Sequence, residues 1–233
     1  MIRAVFFDWF HTLADIEPPR HQVYLQVFRE LGVELPEEKV RRGILLADQY
    51  FFEESAKLPA AERSPEEQLR LYLAYPRAIL SEAGVKAPQD LATRALMRAR
   101  EQFKGMNFAL FDDVLPTLEK IKHPGLTLGL LTNLDSDMAP ICRKLGLEPY
   151  LDFVVTAREA GADKPKPPIF LAALARAGVS ANEAAHVGDQ YQMDVVGARG
   201  VGISPVLIDR YDMSPEVTDC PRIHRLTELP RYL

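Results

Sequence analysis

The fold is decided by four stretches: AVFFDWFHT at residues 4–12, LLTN at 130–133, KPKP at 164–167 and HVGDQYQMD at 186–194. All but KPKP contain or follow an apolar run that is typical of a buried strand in a parallel sheet. Ligands bind open α/β sheets at the carboxyl ends of their strands. The pattern therefore predicts one polar site, built from distant parts of the chain at one edge of such a sheet.

The rest of the chain favours the same fold class. After residue 107, apolar runs alternate with helical patterns, which indicates βαβ units. The runs are 126–132, 152–156, 184–188 and 203–208, and the helices are expected near 113–122, 136–145, 167–177 and 192–199. Between residues 15 and 106 no strand stands out and the spacing predicts four or five helices. We predict a doubly wound parallel, Rossmann-like α/β core formed by residues 1–14 and 107–233, with an inserted all-helical domain, residues 15–106.

The composition is that of an ordinary globular protein and argues against several function classes. The 233 residues are 47% hydrophobic and 26% charged, with a formal net charge of −5, which gives no sign of binding to nucleic acid or to an anionic membrane. No apolar run is long enough to cross a bilayer, and the first residues lack a signal-peptide pattern. Cys142 and Cys220 lack metal-ligand spacing. We expect a cytoplasmic protein with reduced thiols and with no nucleic-acid or membrane partner.

Asp8 is the candidate nucleophile, because it ends the first apolar run and its carboxylate should project at the carboxyl edge of the sheet. An Asp at such a position can also simply cap the following turn. Thr132 and Asn133 end another run, where a hydroxyl and backbone N–H groups can hold an anionic oxygen. A local Ser/Thr turn is the alternative there.

A lysine and two further carboxylates complete the set. Lys164 precedes the first proline of a stiff loop, where it can neutralise a nucleophilic Asp and a phosphoryl group; Lys166 is its rival for this role. Gly188 permits a tight turn, and Asp189 and Asp194 bracket the start of a helix, where they can face one cation or cap the helix. This inventory suits Mg²⁺-assisted phosphoryl transfer through an Asp.

In this order and with these strand contexts, the stretches resemble the four motifs of the haloacid dehalogenase (HAD) superfamily of hydrolases. The resemblance covers the whole predicted core. The matching residues are Phe7-Asp8-x-x-x-Thr12-Leu13 for the first motif, Leu131-Thr132-Asn133 for the second, Lys164-Pro165-x-Pro167-x-Ile169-Phe170 for the third and His186-Val187-Gly188-Asp189-x-x-x-x-Asp194-x-x-Gly197-Ala198 for the fourth.

The resemblance implies a Mg²⁺-dependent hydrolase of small phosphate monoesters, with a small phosphorylated metabolite as its partner. Asp8 would form a covalent aspartyl intermediate, and Thr132 and Lys164 would hold the phosphoryl group. The implied substrate-binding residues are Thr12, Thr132, Asn133 and Lys164, and the implied metal ligands are Asp8, the backbone carbonyl of Phe10, Asp189 and Asp194. The helical insertion resembles the family's cap in position and helicity.

One position departs from the family pattern. Phosphatases of the family usually carry a second Asp two residues after the nucleophile, as the general acid and base, and here that residue is Phe10. A phenyl ring transfers no proton, and general acid–base help is worth roughly 10²–10⁴-fold. An imidazole can titrate near neutral pH, and the adjacent His11 is our candidate replacement. The alternative is that His11 merely fills a turn position that Gly commonly holds.

Two other functions stay open. The 2-haloacid dehalogenases of the superfamily also lack the second Asp and attack carbon without a metal, but their fourth motif resembles Ser-Asn-x-x-Asp, whereas this chain keeps Gly188-Asp189 and Asp194. With Phe10, the site could also serve a weakly active protein that binds a phosphorylated ligand. We expect a monomer or a homodimer.

Overall fold

The computed structural model describes the 233 residues except Ala87, Gln89, Met106 and Asp135. The chain forms two compact units, one of Met1–Asp15 with Ala109–Leu233 and the other of Ile16–Phe108. We call them the α/β unit and the helical unit. None of the described helices combines the length and the hydrophobicity that a bilayer crossing requires.

The α/β unit is built on a six-stranded sheet whose strand order is β5-β4-β1-β6-β7-β8. The strands are β1 (Ala4–Phe7), β4 (Thr127–Thr132), β5 (Phe153–Thr156), β6 (Ala184–Gly188), β7 (Ser204–Ile208) and β8 (Arg222–Ile223). Every pairing in this sheet is parallel. The predicted α/β fold class is thus confirmed, and β1 and β6 are buried along their whole length, as expected for central parallel strands.

Helices connect these strands. They are α5 (Val114–Ile121), α6 (Met138–Lys144), α7 (Ala157–Ala160), α8 (Pro167–Ala177) and α9 (Gly197–Gly200). The helix expected at 192–199 is in place but begins as a π-helical segment, Tyr191–Val196. The apolar faces of α8 and of the sheet form one core, in which Phe6, Leu131 and Phe170 are fully buried.

The helical unit contains α1 (Arg20–Glu30), α2 (Glu37–Lys57), α3 (Pro65–Glu82) and α4 (Leu91–Phe103). A capping box of Ser64 and Glu67 starts α3, which satisfies two N–H groups that the helix leaves unpaired. Gly43 on α2 lets the backbones of α2 and α3 approach closely, because an added Cβ would overlap the backbone of Ile79. The helices enclose an apolar core that includes Val27, Phe28 and Ala95.

The expectation that no strand falls between residues 15 and 106 was wrong at its edge. A short strand, β2 (Ala14–Glu17), pairs with β3 (Asn107–Leu110). Each has four residues, and such short strands leave no readable alternation of apolar and polar side chains.

Candidate active site

Three of the predicted site residues lie at adjacent strand ends. In the sheet, β1 lies between β4 and β6. Asp8 directly follows β1, Thr132 is the last residue of β4, and Asp189 directly follows β6. The backbone N–H of Asp8 donates to the Val187 carbonyl at 2.8 Å, so the parallel register continues to the nucleophile candidate itself. The topology therefore brings these three residues to one carboxyl edge of the sheet.

Lys164 reaches this edge from the loop between α7 and α8. Its side chain is 3% exposed, and its ammonium group donates to the Asp8 carboxylate and to Asp194 Oδ1, the latter at 2.6 Å. The rival Lys166 is exposed. The structure thus places Lys164 between two of the predicted carboxylates, and a buried ammonium in that position requires charge partners.

Thr132 and Asn133 make local contacts that bear on their predicted roles. The Asn133 amide brackets Lys164, since its Nδ2 donates to the Lys164 carbonyl at 3.2 Å and its Oδ1 accepts from the Lys164 N–H at 2.8 Å. Thr132 Oγ1 accepts from the Leu134 N–H at 3.1 Å, which is the local turn considered above. Its hydroxyl proton can still be donated to an anionic oxygen. Substrate contact by either side chain stays a prediction.

The three carboxylates of Asp8, Asp189 and Asp194 each offer an oxygen, and these oxygens lie within 4.8 Å of one another. Gly188 makes room for this cluster, because a Cβ there would overlap the Asp194 carboxyl group. Asp194 is the most heavily bonded of the three. Besides Lys164, it lies 2.9 Å from His186 Nε2 and accepts the Gln190 N–H at 3.0 Å.

Burial and mutual repulsion set the charges in this cluster. Burial, together with the neighbouring carboxylates of Asp194 and Asp189, raises the pKa of Asp8 to about 7 against the opposing effect of the Lys164 ammonium. Burial also raises the pKa of Asp189. For Asp194, burial acts in the same direction, but Lys164 and His186 outweigh it and hold the pKa well below its ordinary value.

The residues present fit a divalent cation. The cluster has two buried carboxylates and one half-buried carboxylate but a single lysine ammonium, which contacts Asp8 and Asp194, so it lacks positive charge when all three are ionised. Mg²⁺ prefers oxygen ligands, needs only one or two carboxylates and keeps several waters. Asp8 and Asp189, whose pKa values are raised, are the carboxylates that a cation would stabilise most in the ionised form.

Phe10 and His11 form the turn that follows the nucleophile candidate. Their rings stack with centroids 4.1 Å apart. His11 has a positive φ of 61°, a conformation that favours Gly. Its backbone therefore does occupy a turn position of the kind that Gly commonly holds. Its side chain is nevertheless buried, with Nδ1 3.5 Å from Asp189 Oδ2. Thr12 is fully buried, and its hydroxyl has no hydrogen-bond partner among the described residues.

The structure adds a residue that the sequence analysis missed. Arg210 donates to the carbonyls of His11 at 3.2 Å and Thr12 at 2.7 Å, and it makes a bidentate pair with the buried Asp113 at 3.0 Å. Its guanidinium lies 4.0 Å from the centroid of the Phe111 ring. Arg210 therefore holds the turn after Asp8. The rule that singled out Asp8 would have found it, because Arg210 comes two residues after the end of β7.

We expect Arg210→Met to cost about 3–5 kcal/mol of stability, because Asp113 would be left buried without its partner. If Asp8 is the nucleophile, we also expect kcat to fall more than KM rises, since the turn that follows Asp8 would lose its support. The informative control is the double variant Arg210→Met/Asp113→Asn, measured by urea unfolding and steady-state kinetics. It should regain much of the stability but not the kcat; recovery of both would show that Arg210 acts through stability alone.

The raised pKa values predict how stability depends on pH and metal. The folded state keeps a proton on Asp8 up to a pKa of about 7, whereas the unfolded chain releases it near the ordinary aspartate pKa of 3.8. The stability that this proton contributes is fully present below the pKa of Asp8 in the unfolded chain. It is lost as the pH rises through the pKa of Asp8 in the folded state. Without metal, the cluster should therefore be least stable at about pH 8, where the carboxylates are ionised.

Mg²⁺ binds ionised carboxylates, so it should raise the melting temperature more at about pH 8 than at about pH 5. At a hundred times its dissociation constant, the ion contributes about 2.7 kcal/mol. Differential scanning calorimetry with Mg²⁺ and with EDTA at both pH values checks this. A shift of equal size at the two pH values, or no shift, would contradict the metal site.

Comparison with known proteins identifies the family. The family model described as haloacid dehalogenase-like hydrolase matches residues 2–202, and the chain belongs to this family of hydrolases. Haloacid dehalogenase-like hydrolase domain-containing protein 3 of Danio rerio is 30% identical over 237 residues, covering 100% of this chain and 96% of that protein. The ribulose-1,5-bisphosphate 5-phosphatase of Halopiger xanaduensis is 29% identical and covers 95% of this chain and 91% of its own length.

Solved structures agree with the fold. A HAD phosphatase from Thermococcus onnurineus matches 99% of this chain and 97% of its own, with a TM-score of 0.58 and 27% identity. A 2-haloacid dehalogenase from Pseudomonas syringae pv. Tomato matches over the same shares, with a TM-score of 0.56 and 26% identity. The proteins with a similar structure thus include both a phosphatase and a 2-haloacid dehalogenase.

Proposed function

We propose that this hydrolase is a Mg²⁺-dependent phosphatase of small phosphate monoesters that works through an aspartyl-phosphate on Asp8. The observation that carries the proposal is the cluster of Asp8, Lys164, Asp189 and Asp194. It combines a candidate nucleophile with a fixed cation and two further carboxylates. Phosphatases among the similar proteins support it.

In this proposal, an Asp8 carboxylate oxygen attacks phosphorus, and the alcohol of the substrate leaves. Water then attacks the aspartyl-phosphate, releases inorganic phosphate and restores Asp8. Lys164 neutralises charge on Asp8 and on the phosphoryl oxygens, while the Thr132 hydroxyl donates to one of those oxygens. Asn133 contributes by fixing the backbone of Lys164. For Thr12 we retain the predicted role near the substrate, although its hydroxyl is buried.

Mg²⁺ would be held by Asp8, Asp189 and the Phe10 carbonyl, with Asp194 as the fourth predicted ligand. When bound, it supplies positive charge that offsets the repulsion between the carboxylates and the phosphoryl group. Asp194 already accepts hydrogen bonds from Lys164 and Gln190, so its main contribution is to fix Lys164. We further propose that residues 15–106 act as the cap that selects the substrate.

His11 is the proposed proton carrier in place of the missing second Asp. Its contact with Asp189 places an imidazole in the cluster, and an imidazole can both give and take a proton near neutral pH. His11→Gln should therefore lower kcat and also weaken the dependence of kcat on pH.

Placing the family's second Asp at position 10 tests directly whether its absence limits catalysis. We expect Phe10→Asp to raise kcat for p-nitrophenyl phosphate about tenfold or more, since general acid–base help contributes roughly 10²–10⁴-fold. Phe10→Asn is the matched control, because it has the same shape but transfers no proton. Equal rates in the two variants would show that proton transfer does not limit this enzyme.

Dehalogenation is the second candidate function, because Phe10 removes the phosphatase carboxylate and a 2-haloacid dehalogenase shares the fold. The deciding experiment compares phosphate release from p-nitrophenyl phosphate with chloride release from 2-chloropropionate, each with Mg²⁺ and with EDTA. Phosphate release that needs Mg²⁺ supports the proposal. Chloride release that is unaffected by EDTA overturns it, and release of neither ion favours a phospho-ligand-binding protein.

A further inference from the structure

The helical unit contains a pocket whose residues take no part in the Asp8 cluster. Its volume is about 660 Å³, within the range of pockets that bind small organic molecules. All of its lining residues belong to Ile16–Phe108, the helical unit itself. Aromatic rings form much of the wall: Tyr24, Phe51, Tyr72, Tyr75 and Phe103.

Three of these rings, those of Phe51, Tyr72 and Tyr75, lie close together. The centroid of Phe51 lies 5.6 Å from that of Tyr72 and 6.2 Å from that of Tyr75. On α4, Met97 lines the pocket and is 47% exposed. Planar apolar ligands gain both buried area and ring contacts on such a surface.

Two charged groups of the wall are already neutralised. Arg20 makes a bidentate pair with the buried Asp48 at 2.7 and 2.6 Å, and the Tyr75 hydroxyl donates to the same carboxylate at 2.8 Å. Lys104 pairs with Glu101 at 2.8 Å. The buried pair fixes Tyr75 and Arg20 at the wall, but neither it nor Lys104 offers a free charge to a ligand.

Arg100 is different from these residues. Within the part of the chain that the structure describes, it has no carboxylate partner; its guanidinium lies 5.8 Å from the centroid of the Tyr72 ring. The pocket therefore presents one uncompensated cation beside an aromatic surface. A ligand that complements it has a planar apolar body and one anionic group, since a carboxylate, sulfonate or phosphate oxygen can accept from a guanidinium.

We propose that this pocket binds a small aromatic anion, with its ring system against Phe51 and Tyr72 and its anionic group at Arg100. The inference goes beyond the proposed phosphatase activity and does not rest on it, because no lining residue belongs to the Asp8 cluster. A binding measurement that needs no turnover therefore tests it even if the enzyme is not a phosphatase.

Isothermal titration of the full chain with 2-naphthalenesulfonate is the test. We expect saturable binding of one molecule per chain. Methanesulfonate, which has the charge without the ring, and 2-naphthalenemethanol, which has the ring without the charge, should each bind about tenfold more weakly or worse. Equal affinity for all three probes, or no saturable binding of the first, would overturn the proposal.

Variants on one helix locate the site. Arg100→Gln should weaken binding of 2-naphthalenesulfonate about two- to fivefold, the range expected of a solvent-exposed ion pair. Arg98→Gln is the matched control, since Arg98 is on the same helix, is exposed and pairs with Glu30 at 3.0 Å, and it should bind as the original protein does. Tyr72→Leu should also weaken binding, with circular dichroism to confirm folding. An unchanged affinity in Arg100→Gln would place the probe elsewhere and reject the inference.

Discussion

Asp8→Asn is expected to lower Mg²⁺-dependent phosphate release by about 10⁴-fold or more, as losses of a covalent nucleophile do. An amide has nearly the shape of a carboxylate but cannot attack phosphorus to form the intermediate. The substitution also removes one of the two negative charges that Lys164 contacts, those of Asp8 and Asp194. Assays of p-nitrophenyl phosphate hydrolysis, with Mg²⁺ and with EDTA, measure this effect.

A folding control separates lost chemistry from lost structure. Because burial and two neighbouring carboxylates raise the pKa of Asp8 to about 7, the folded protein disfavours its charge at higher pH. Asp8→Asn removes that charge, so at about pH 8 without metal the variant should melt at or above the temperature of the original protein. An inactive variant that melts much lower would leave the assignment of Asp8 without support.

Lys164→Met should have the second-largest effect, with activity lowered by about 10²–10³-fold because a fixed positive charge beside the developing transition state is lost. Stability should fall by about 3–5 kcal/mol, because Asp8 and Asp194 would remain buried without their shared cation. The deficit should shrink as the pH is lowered, since protonation of the carboxylates then relieves their repulsion. Urea unfolding at about pH 8 and about pH 5.5, beside steady-state kinetics, tests both parts.

Lys166→Met is the matched control for this variant. It removes the same charge two residues away, from an exposed side chain, so stability should change by less than about 0.5 kcal/mol. Activity should stay at its original level. Similar losses in both lysine variants would indicate that net charge in the loop, rather than contact with Asp8, is responsible.

The sheet and the convergence of the site could be predicted because each long strand has a clear pattern. The runs before Asp8, at Thr132 and before Asp189 are apolar and end in polar residues, and parallel strands bring such ends together. The preference for Lys164 over Lys166 also agrees with the contacts observed. The assignment of residues 15–106 as a cap stays a prediction, as do the catalytic and metal-binding roles.

Other features depend on contacts that no local pattern reveals. The two residues of β8 are too few to show a period. At the start of the π-helical segment, the carbonyl of Gln190 accepts N–H groups from Asp194 at 2.8 Å and from Val195 at 3.4 Å. Arg210 could have been found from its position after β7, but its contact with the His11 carbonyl, 199 residues away in the chain, could not be read from the sequence. The contacts of the Asn133 amide with the backbone of Lys164 were likewise not foreseen, and the role of Asn133 at the substrate stays a prediction.

The most direct test of the proposed mechanism is the covalent state of Asp8 during turnover. The enzyme is mixed with p-nitrophenyl phosphate and Mg²⁺, quenched in acid within the first turnovers, digested and examined by mass spectrometry. We predict a phosphoryl group on the peptide that contains Asp8, absent with EDTA and absent in Asp8→Asn. Phosphate release at the full rate with no phosphoryl group on that peptide would contradict nucleophilic catalysis by Asp8.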